Sequence, residues 1–215
     1  MKMNRTLSQG EREVSGIQGN KTTRRKMAAP LQTLGVGTKL ADAAPFGGPI
    51  YRIHEGCIIL SRRMHHGPVQ LLDVYGPGRI FVHPGAPNSA EVRIECRFEV
   101  LLARKHARII HESLLENLDR SHRHVALLCG KTAVQRVATM LMDLALQFGA
   151  DPVAQGKLLL PLTRPEIGSW LGLRGETVSR IFTQLIGQQT ISADTHRGVH
   201  IRDWRALTLI ADGSD

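Results

Sequence analysis

Glu176, Ser179 and Arg180 fall at i, i+3 and i+4, so they project together from one side of any helix that carries them. Their chemistry is that of base-edge recognition. Arginine grips O6 and N7 of guanine in bidentate fashion, glutamate accepts from the exocyclic amine of cytosine, and serine serves either kind of edge. Such groups near the N-terminal end of a helix can read a half-site in a major groove. The same spacing also describes the solvated face of an ordinary amphipathic helix, and spacing alone leaves that alternative open.

The flanking residues say what must position the trio. Val178, Ile181, Phe182 and Leu185 recur at i, i+3, i+4 and i+7, which binds the opposite helix face to a core. Upstream, Thr163 followed by Glu166 forms a capping box, with Pro165 in the first turn where its missing N–H is harmless. Ile167, Trp170 and Leu171 make one apolar stripe, which Gly172 interrupts inside a Leu171-Gly172-Leu173 turn. Beyond Gly187, Ile191-Ser192-Ala193 and Val199-His200-Ile201 flank a polar, glycine-containing turn, the pattern of a two-stranded wing. Together these features predict a winged helix-turn-helix.

The run LTRPEIGSWLGLRGETVSRIF, within Leu162 to Ile191, resembles the DNA-binding signature of the Crp/Fnr bacterial transcription regulators. The trio Glu176, Ser179, Arg180 looks like the Fnr and FixK type. The cyclic-AMP receptor type carries Arg where Gly175 stands and Gly where Ser179 stands. Gly175 and Thr190 depart from the usual pattern, the latter replacing an apolar residue just before the wing. The resemblance implies an α+β protein with a cyclic-nucleotide-binding-like β-roll, here shortened before Ile50, a long dimerisation helix and a C-terminal winged helix-turn-helix. It further implies double-stranded DNA as partner, a target close to TTGAT-N4-ATCAA, and contact with RNA polymerase during activation. Glu176, Ser179 and Arg180 are the expected base readers. Thr163, Arg164, Arg174, Thr177, His196 and Arg197 are expected to touch phosphates, which sets register without specifying sequence.

Domain boundaries follow from composition. The net charge of +9 favours a polyanionic partner, but it is unevenly placed. Residues 1–30 carry seven Lys/Arg against two Glu, whereas residues 150–215 carry seven of each sign, so total charge does not locate the DNA surface. Residues 1–30 lack apolar periodicity and read as a basic, disordered tail, either solubilising or reaching toward DNA. Residues 31–108 hold short strands: Ile50 to His54, Cys57 to Leu60, Val69 to Tyr75 and Val92 to Leu102, with Glu55-Gly56, Gly67-Pro68 and Gly76-Pro77-Gly78 as turns. Residues 109–130 form the dimerisation helix and 131–215 the DNA-binding domain. Leu114, Leu118, Ser121, Val125 and Leu128 follow the 4-3-4-3 spacing of a coiled-coil seam, which predicts a homodimer. The alternative on spacing alone is packing against the chain's own β-roll.

No cofactor, metal or catalytic group is expected. Cyclic-nucleotide binders in the family use a Gly-Glu pair followed by Arg. The corresponding FVHPGAPNSAEVRIE has no Gly-Glu, and Arg93 reads as an exposed strand residue. Fnr-type sensors of the family carry their iron–sulfur cysteines in the N-terminal segment, and here no cysteine precedes Cys57, so the resemblance does not imply an oxygen-labile cluster. Cys57, Cys96 and Cys129 show no C-x-x-C spacing and read as small core residues. His54, His65, His66 and His83 lack the His-x-His spacing of a cupin site. A metal-binding β-barrel or an enzyme with an incidental helical tail is the competing class. The lack of a long apolar run or a hydrophobic leader predicts a cytoplasmic protein, and a small-molecule effector stays open.

Overall fold

The computed structural model describes residues 31–40, 49–64, 67–149, 157–194 and 198–213. The basic segment 1–30, His65-His66, residues 150–156 and residues 195–197, with His196 and Arg197 among them, lie outside the described residues.

The N-terminal part is a six-stranded antiparallel roll. β1 (Gln32–Leu34), β6 (Asn88–Leu101), β3 (Ile50–Arg63) and β4 (Val69–Tyr75) lie side by side in that order. β2 (Lys39–Leu40) adds to β6, and β5 (Ile80–Val82) adds to β3. The run Cys57-Ile58-Ile59-Leu60 is buried throughout because its alternate residues face two different cores. Ile58 and Leu60 join Ile53, Tyr75, Phe81, Val92 and Phe98 inside the roll. Cys57 and Ile59 face outward with Leu71 and Val74 and pack into the core of the C-terminal helices. The outward face of the roll and the helical region therefore share one apolar core, distinct from the one inside the roll.

Two expectations about this region are corrected. Glu55-Gly56 does not end a strand: β3 runs on for 14 residues, and its register with β6 shifts on either side of Glu55 and Cys57. Gly56 adopts φ +90°, and a Cβ there would sit 2.0 Å from the carbonyl oxygen of Glu95. The glycine thus makes a bulge where two backbones meet. Arg93 is not an exposed strand residue either. Its half-buried guanidinium pairs with Glu91 and with Glu166 of the C-terminal region.

Helix α1 (Ala103–Gly130) follows β6 almost directly, beginning before the expected 109. His106 explains the early start. The N–H groups of Lys105 and His106 both donate to the carbonyl of Leu102, and the Leu102 N–H donates to His106 Nδ1. That local turn ends in a kink at His106 itself (φ −117°, ψ 20°). The helix presents two parallel stripes with 4-3-4-3 spacing. Ser113, Asn117, Arg120, His124 and Leu127 turn inward, and the roll holds Asn117 and Arg120 through polar bonds. Arg79 donates to Asn117 at 2.8 Å, and Arg120 donates to Asp73 at 2.9 Å. The neighbouring stripe turns outward, with Leu114 49%, Leu118 53% and Val125 58% exposed. Ser121 is exposed and Leu128 half-buried against the helical core. Cys129, expected in a core, is exposed, whereas Cys57 and Cys96 are buried.

Helix α2 (Ala133–Gln147) starts on a Thr132/Gln135 capping box. After β7 (Lys157–Leu159) come α3 (Arg164–Leu171), α4 (Gly175–Gly187), β8 (Ile191–Ala193), β9 (Gly198–Ile201) and α5 (Trp204–Asp212). β7, β9 and β8 form a small antiparallel sheet in that order. None of the described helices is long and apolar enough to cross a membrane.

Candidate nucleic-acid interface

Helix α3 begins where its sequence signals place it. Thr163 Oγ1 accepts from the Glu166 N–H, and Glu166 Oε2 accepts from both the N–H and the hydroxyl of Thr163 at 2.8 Å. The helix ends on Gly172 in the left-handed region (φ +65°), a conformation glycine adopts without a Cβ clash. Both Gly172 and Leu173 donate N–H groups back to the Gly168 carbonyl. Three residues after Gly172, α4 starts.

The trio sits on α4 as the spacing requires. Val178, Ile181, Phe182 and Leu185 are buried, while Glu176, Ser179 and Arg180 are exposed on the other side. Among the described residues, no ion pair or side-chain hydrogen bond engages Glu176 or Arg180, so both reach solvent with their bonding capacity unspent. Ser179 differs. Its hydroxyl donates to the Gly175 carbonyl at 3.0 Å, and Thr183 donates in turn to the Ser179 carbonyl at 3.1 Å. The Ser179 oxygen therefore faces outward as an acceptor, and donating to a base would require it to leave that bond.

The expected phosphate-contacting residues are less uniform. Arg174 is exposed at the N-cap of α4, and Thr177 is half-buried on its first turn. Arg164 lies with its guanidinium carbon 3.3 Å from the Phe182 ring centroid, a cation–π stack, and burial lowers its pKa. Thr163 and Arg164 line a cavity of about 300 Å³ with the wing residues Ala193, Asp194, Gly198 and Val199. Asp194 holds the wing closed by accepting from the Gly198 N–H at 2.7 Å and pairing with Lys157. Buried Thr190 lets the wing return: its carbonyl accepts from the N–H groups of Arg202 and Asp203.

Three residues that the sequence did not single out fix this arrangement. Gly168 has its Cα against the turn, where a Cβ would stand 2.7 Å from the Leu173 carbonyl oxygen and 3.1 Å from the Gly175 nitrogen. A glycine inside a helix that costs about 1 kcal/mol in propensity is the available signal for such a close approach. Arg136 of α2 donates to three carbonyls, Lys131 at 2.9 Å, Leu171 at 3.0 Å and Leu128 at 2.8 Å, and so binds the ends of α1 and α3 together. Ser169 bonds to the backbone of β4. Local pattern carries no signal for these last two, because their partners are set by tertiary packing.

A recognition helix with a free polar face, a preceding helix locked to it by a tight turn and a three-stranded wing define a winged helix-turn-helix DNA-binding protein. The Crp-like helix-turn-helix domain model matches residues 135–210. The nitrogen fixation regulation protein FixK of Azorhizobium caulinodans is 33% identical over 172 residues, covering 74% of this chain and 69% of that protein. The transcriptional activator protein Anr of Pseudomonas protegens is 42% identical over 88 residues, which span 41% of this chain and 36% of Anr. The structure of FixK2 from Bradyrhizobium japonicum superposes with a TM-score of 0.72 at 24% identity, covering 86% of this chain and 98% of that one. The chain belongs to the Crp/Fnr family of transcription regulators and is a FixK-like member of it.

Proposed function

We propose that this regulator binds as a homodimer to an inverted repeat close to TTGAT-N4-ATCAA, with Glu176, Ser179 and Arg180 reading bases in each half-site. The observation that carries this reading is the polar face of α4, where Glu176 and Arg180 stand exposed and, among the described residues, unpaired, while the opposite face is sealed in the core. Thr163, Arg164, Arg174, Thr177, His196 and Arg197 hold the phosphates. Leu114, Leu118, Ser121, Val125 and Leu128 form the dimer seam. The outward stripe on α1 supports this assignment, because the roll-facing stripe consists of different residues. A two-fold dimer reads an inverted repeat by symmetry. RNA polymerase is the partner at activated promoters.

The protein binds this DNA without cyclic nucleotide. The run FVHPGAPNSAEVRIE contains no Gly-Glu pair, and its arginine, Arg93, is engaged with Glu91 and Glu166. The test is binding of the purified protein, under reducing conditions with no added effector, to this duplex and to a scrambled one at equal salt. Selective binding is expected. Arg180→Ala should cost about 1–3 kcal/mol on the specific duplex and relax one base position, whereas Arg174→Ala should weaken both duplexes alike and reduce the salt slope by roughly one. Equal losses on both duplexes for both variants would refute the base-reader assignment.

A further inference from the structure

Helix α3 is tied to the β-roll by two side chains three residues apart, Glu166 and Ser169, which share one flank of the helix. Glu166 divides its carboxylate: Oε2 caps the start of α3, and Oε1 accepts from Arg93 of β6. Ser169 meets β4, the last strand of its sheet. Its hydroxyl accepts from the Leu71 N–H at 3.0 Å and donates to the Val69 carbonyl at 3.2 Å, while Gln70 Nε2 donates to the Ser169 carbonyl at 2.7 Å. One residue of the DNA-binding region thus takes the place of a neighbouring strand over three residues of β4.

The seam stripe on α1 is fixed relative to the roll by the Arg79–Asn117 and Arg120–Asp73 bonds. α4 is fixed relative to α3 by the close approach at Gly168. Between these two rigid pairs, the covalent path passes through Gly130 and Lys131. A Cβ at Gly130 would meet nothing within 4 Å, and Lys131 is extended. Arg136 and His124 bridge that hinge at one end of α3, the latter through a 3.0 Å bond with the Trp170 carbonyl. Rotation about the hinge would swing the other end of α3 away from the roll, and the bonds from Arg93 and β4 oppose that movement alongside the apolar core that Cys57, Ile59, Leu71 and Val74 share with the helices.

We propose that Arg93 and Ser169 are positioning residues that set which half-site spacing the dimer accepts, an inference that rests on the DNA-binding reading above. Each base pair inserted between half-sites displaces one from the other by about 3.4 Å and turns it by about 34–36° around the duplex axis. A recognition helix held to the roll cannot follow that displacement. One held less tightly to the roll follows part of it by turning at Gly130. Arg93 is engaged by Glu91 and Glu166, and the Ser169 hydroxyl by the backbone of β4, so their contribution is to geometry alone.

The test is a series of duplexes with the same half-sites and spacers of three to six base pairs, bound to the full-length protein and to the Arg93→Gln/Ser169→Ala double variant. Ser169→Ala alone, which removes one oxygen, and Arg93→Lys, which keeps the charge, guard against misfolding, and thermal unfolding is recorded for each protein. The double variant should lose roughly tenfold of the preference for the best spacer over its neighbours, equivalent to about one charge-assisted bond. It should still discriminate bases within each half-site, and Arg93→Lys should recover part of the preference. An unchanged spacer preference in the double variant overturns the proposal. Loss of base discrimination alongside it also overturns the proposal, because the effect would then lie in α4 itself. A wild-type protein that fails to prefer any inverted repeat over scrambled DNA instead removes the DNA-binding reading on which the proposal stands.

Discussion

Replacing Gly168 by alanine sets two effects of known sign against each other. Alanine in a helix interior is favoured over glycine by about 0.8–1.0 kcal/mol, so an exposed site would gain stability. At Gly168 the new Cβ meets the Leu173 carbonyl oxygen at 2.7 Å, the Gly175 nitrogen at 3.1 Å and the Arg174 carbonyl carbon at 3.2 Å. All three are backbone atoms of the turn, so no rotamer change relieves the clash. Overpacking of this kind costs about 1–3 kcal/mol and sometimes more. The displaced turn also strains the 2.8 Å bond from the Leu173 N–H to the Gly168 carbonyl, which contributes about 1 kcal/mol when intact. The steric cost wins, and Gly168→Ala should be destabilised by about 1–2 kcal/mol net. Because α4 begins at Gly175, the same movement shifts Glu176, Ser179 and Arg180, and the base contacts proposed for them would tolerate only about 0.5 Å of error. Specific DNA affinity should fall about tenfold or more while binding to scrambled DNA stays nearly constant. Urea unfolding at fixed protein concentration gives the first quantity and duplex titration the second. A variant at least as stable as the parent, with undiminished selectivity, would refute the close-approach argument.

Arg136→Met removes three bonds to carbonyls at the ends of α1 and α3. Bonds from a charged donor contribute about 1.5–3 kcal/mol each but are not additive, so the expected loss of unfolding free energy is about 2–4 kcal/mol, and a loss below about 0.5 kcal/mol would show the clamp to be idle. Burial lowers the His124 pKa, opposed by the hydrogen bond with the Trp170 carbonyl. As pH falls below about 6.5 the unfolded chain takes up this proton more readily than the folded one; stability from this group is present above that pH and is lost as pH falls through the lower folded value. His124→Gln, which can still donate to Trp170, should flatten the change in urea midpoint between pH 7 and 5, and an unchanged slope would count against it. Burial pushes the Cys57 thiol up and the Cys96 thiol up to about 11, whereas Cys129 is exposed. A chromogenic disulfide should titrate one thiol in the native protein and all three after unfolding; rapid native reaction of two or more would contradict the burial.

What could be read from sequence was local. The Thr163/Glu166 box, Pro165, Gly172 and the apolar face of α4 each act within a few residues, and the turn and both helices fall where those signals put them. Glu55-Gly56 misled because glycine beside a polar residue serves equally in a turn and in a bulge. Only the approach of Glu95 from a strand 39 residues later decides between them. Arg93 and Glu166 lie 73 residues apart, and Ser169 and Leu71 lie 98 apart, separations at which periodicity carries no information. The early start of α1 was hidden because β6 passes into it with only Leu102 between, leaving no loop composition to mark the boundary. Thr190 departed from the apolar pattern and is nonetheless buried, since its backbone, rather than its side chain, does the joining.

The seat of Ser169 on β4 also bears on how the chain behaves in crowded solution. A terminal strand with free N–H and C=O groups is a template on which another copy can add a strand. In β4 the Leu71 N–H and the Val69 carbonyl are already taken by a serine of α3. A fragment that stopped before Ala133 would keep the roll and α1 but present that strand bare, next to the apolar outward residues Leu71 and Val74 that α2 and α3 normally help to cover. Its fate should be edge-to-edge association and precipitation, so the DNA-reading region doubles as the guard that keeps the roll colloidally stable.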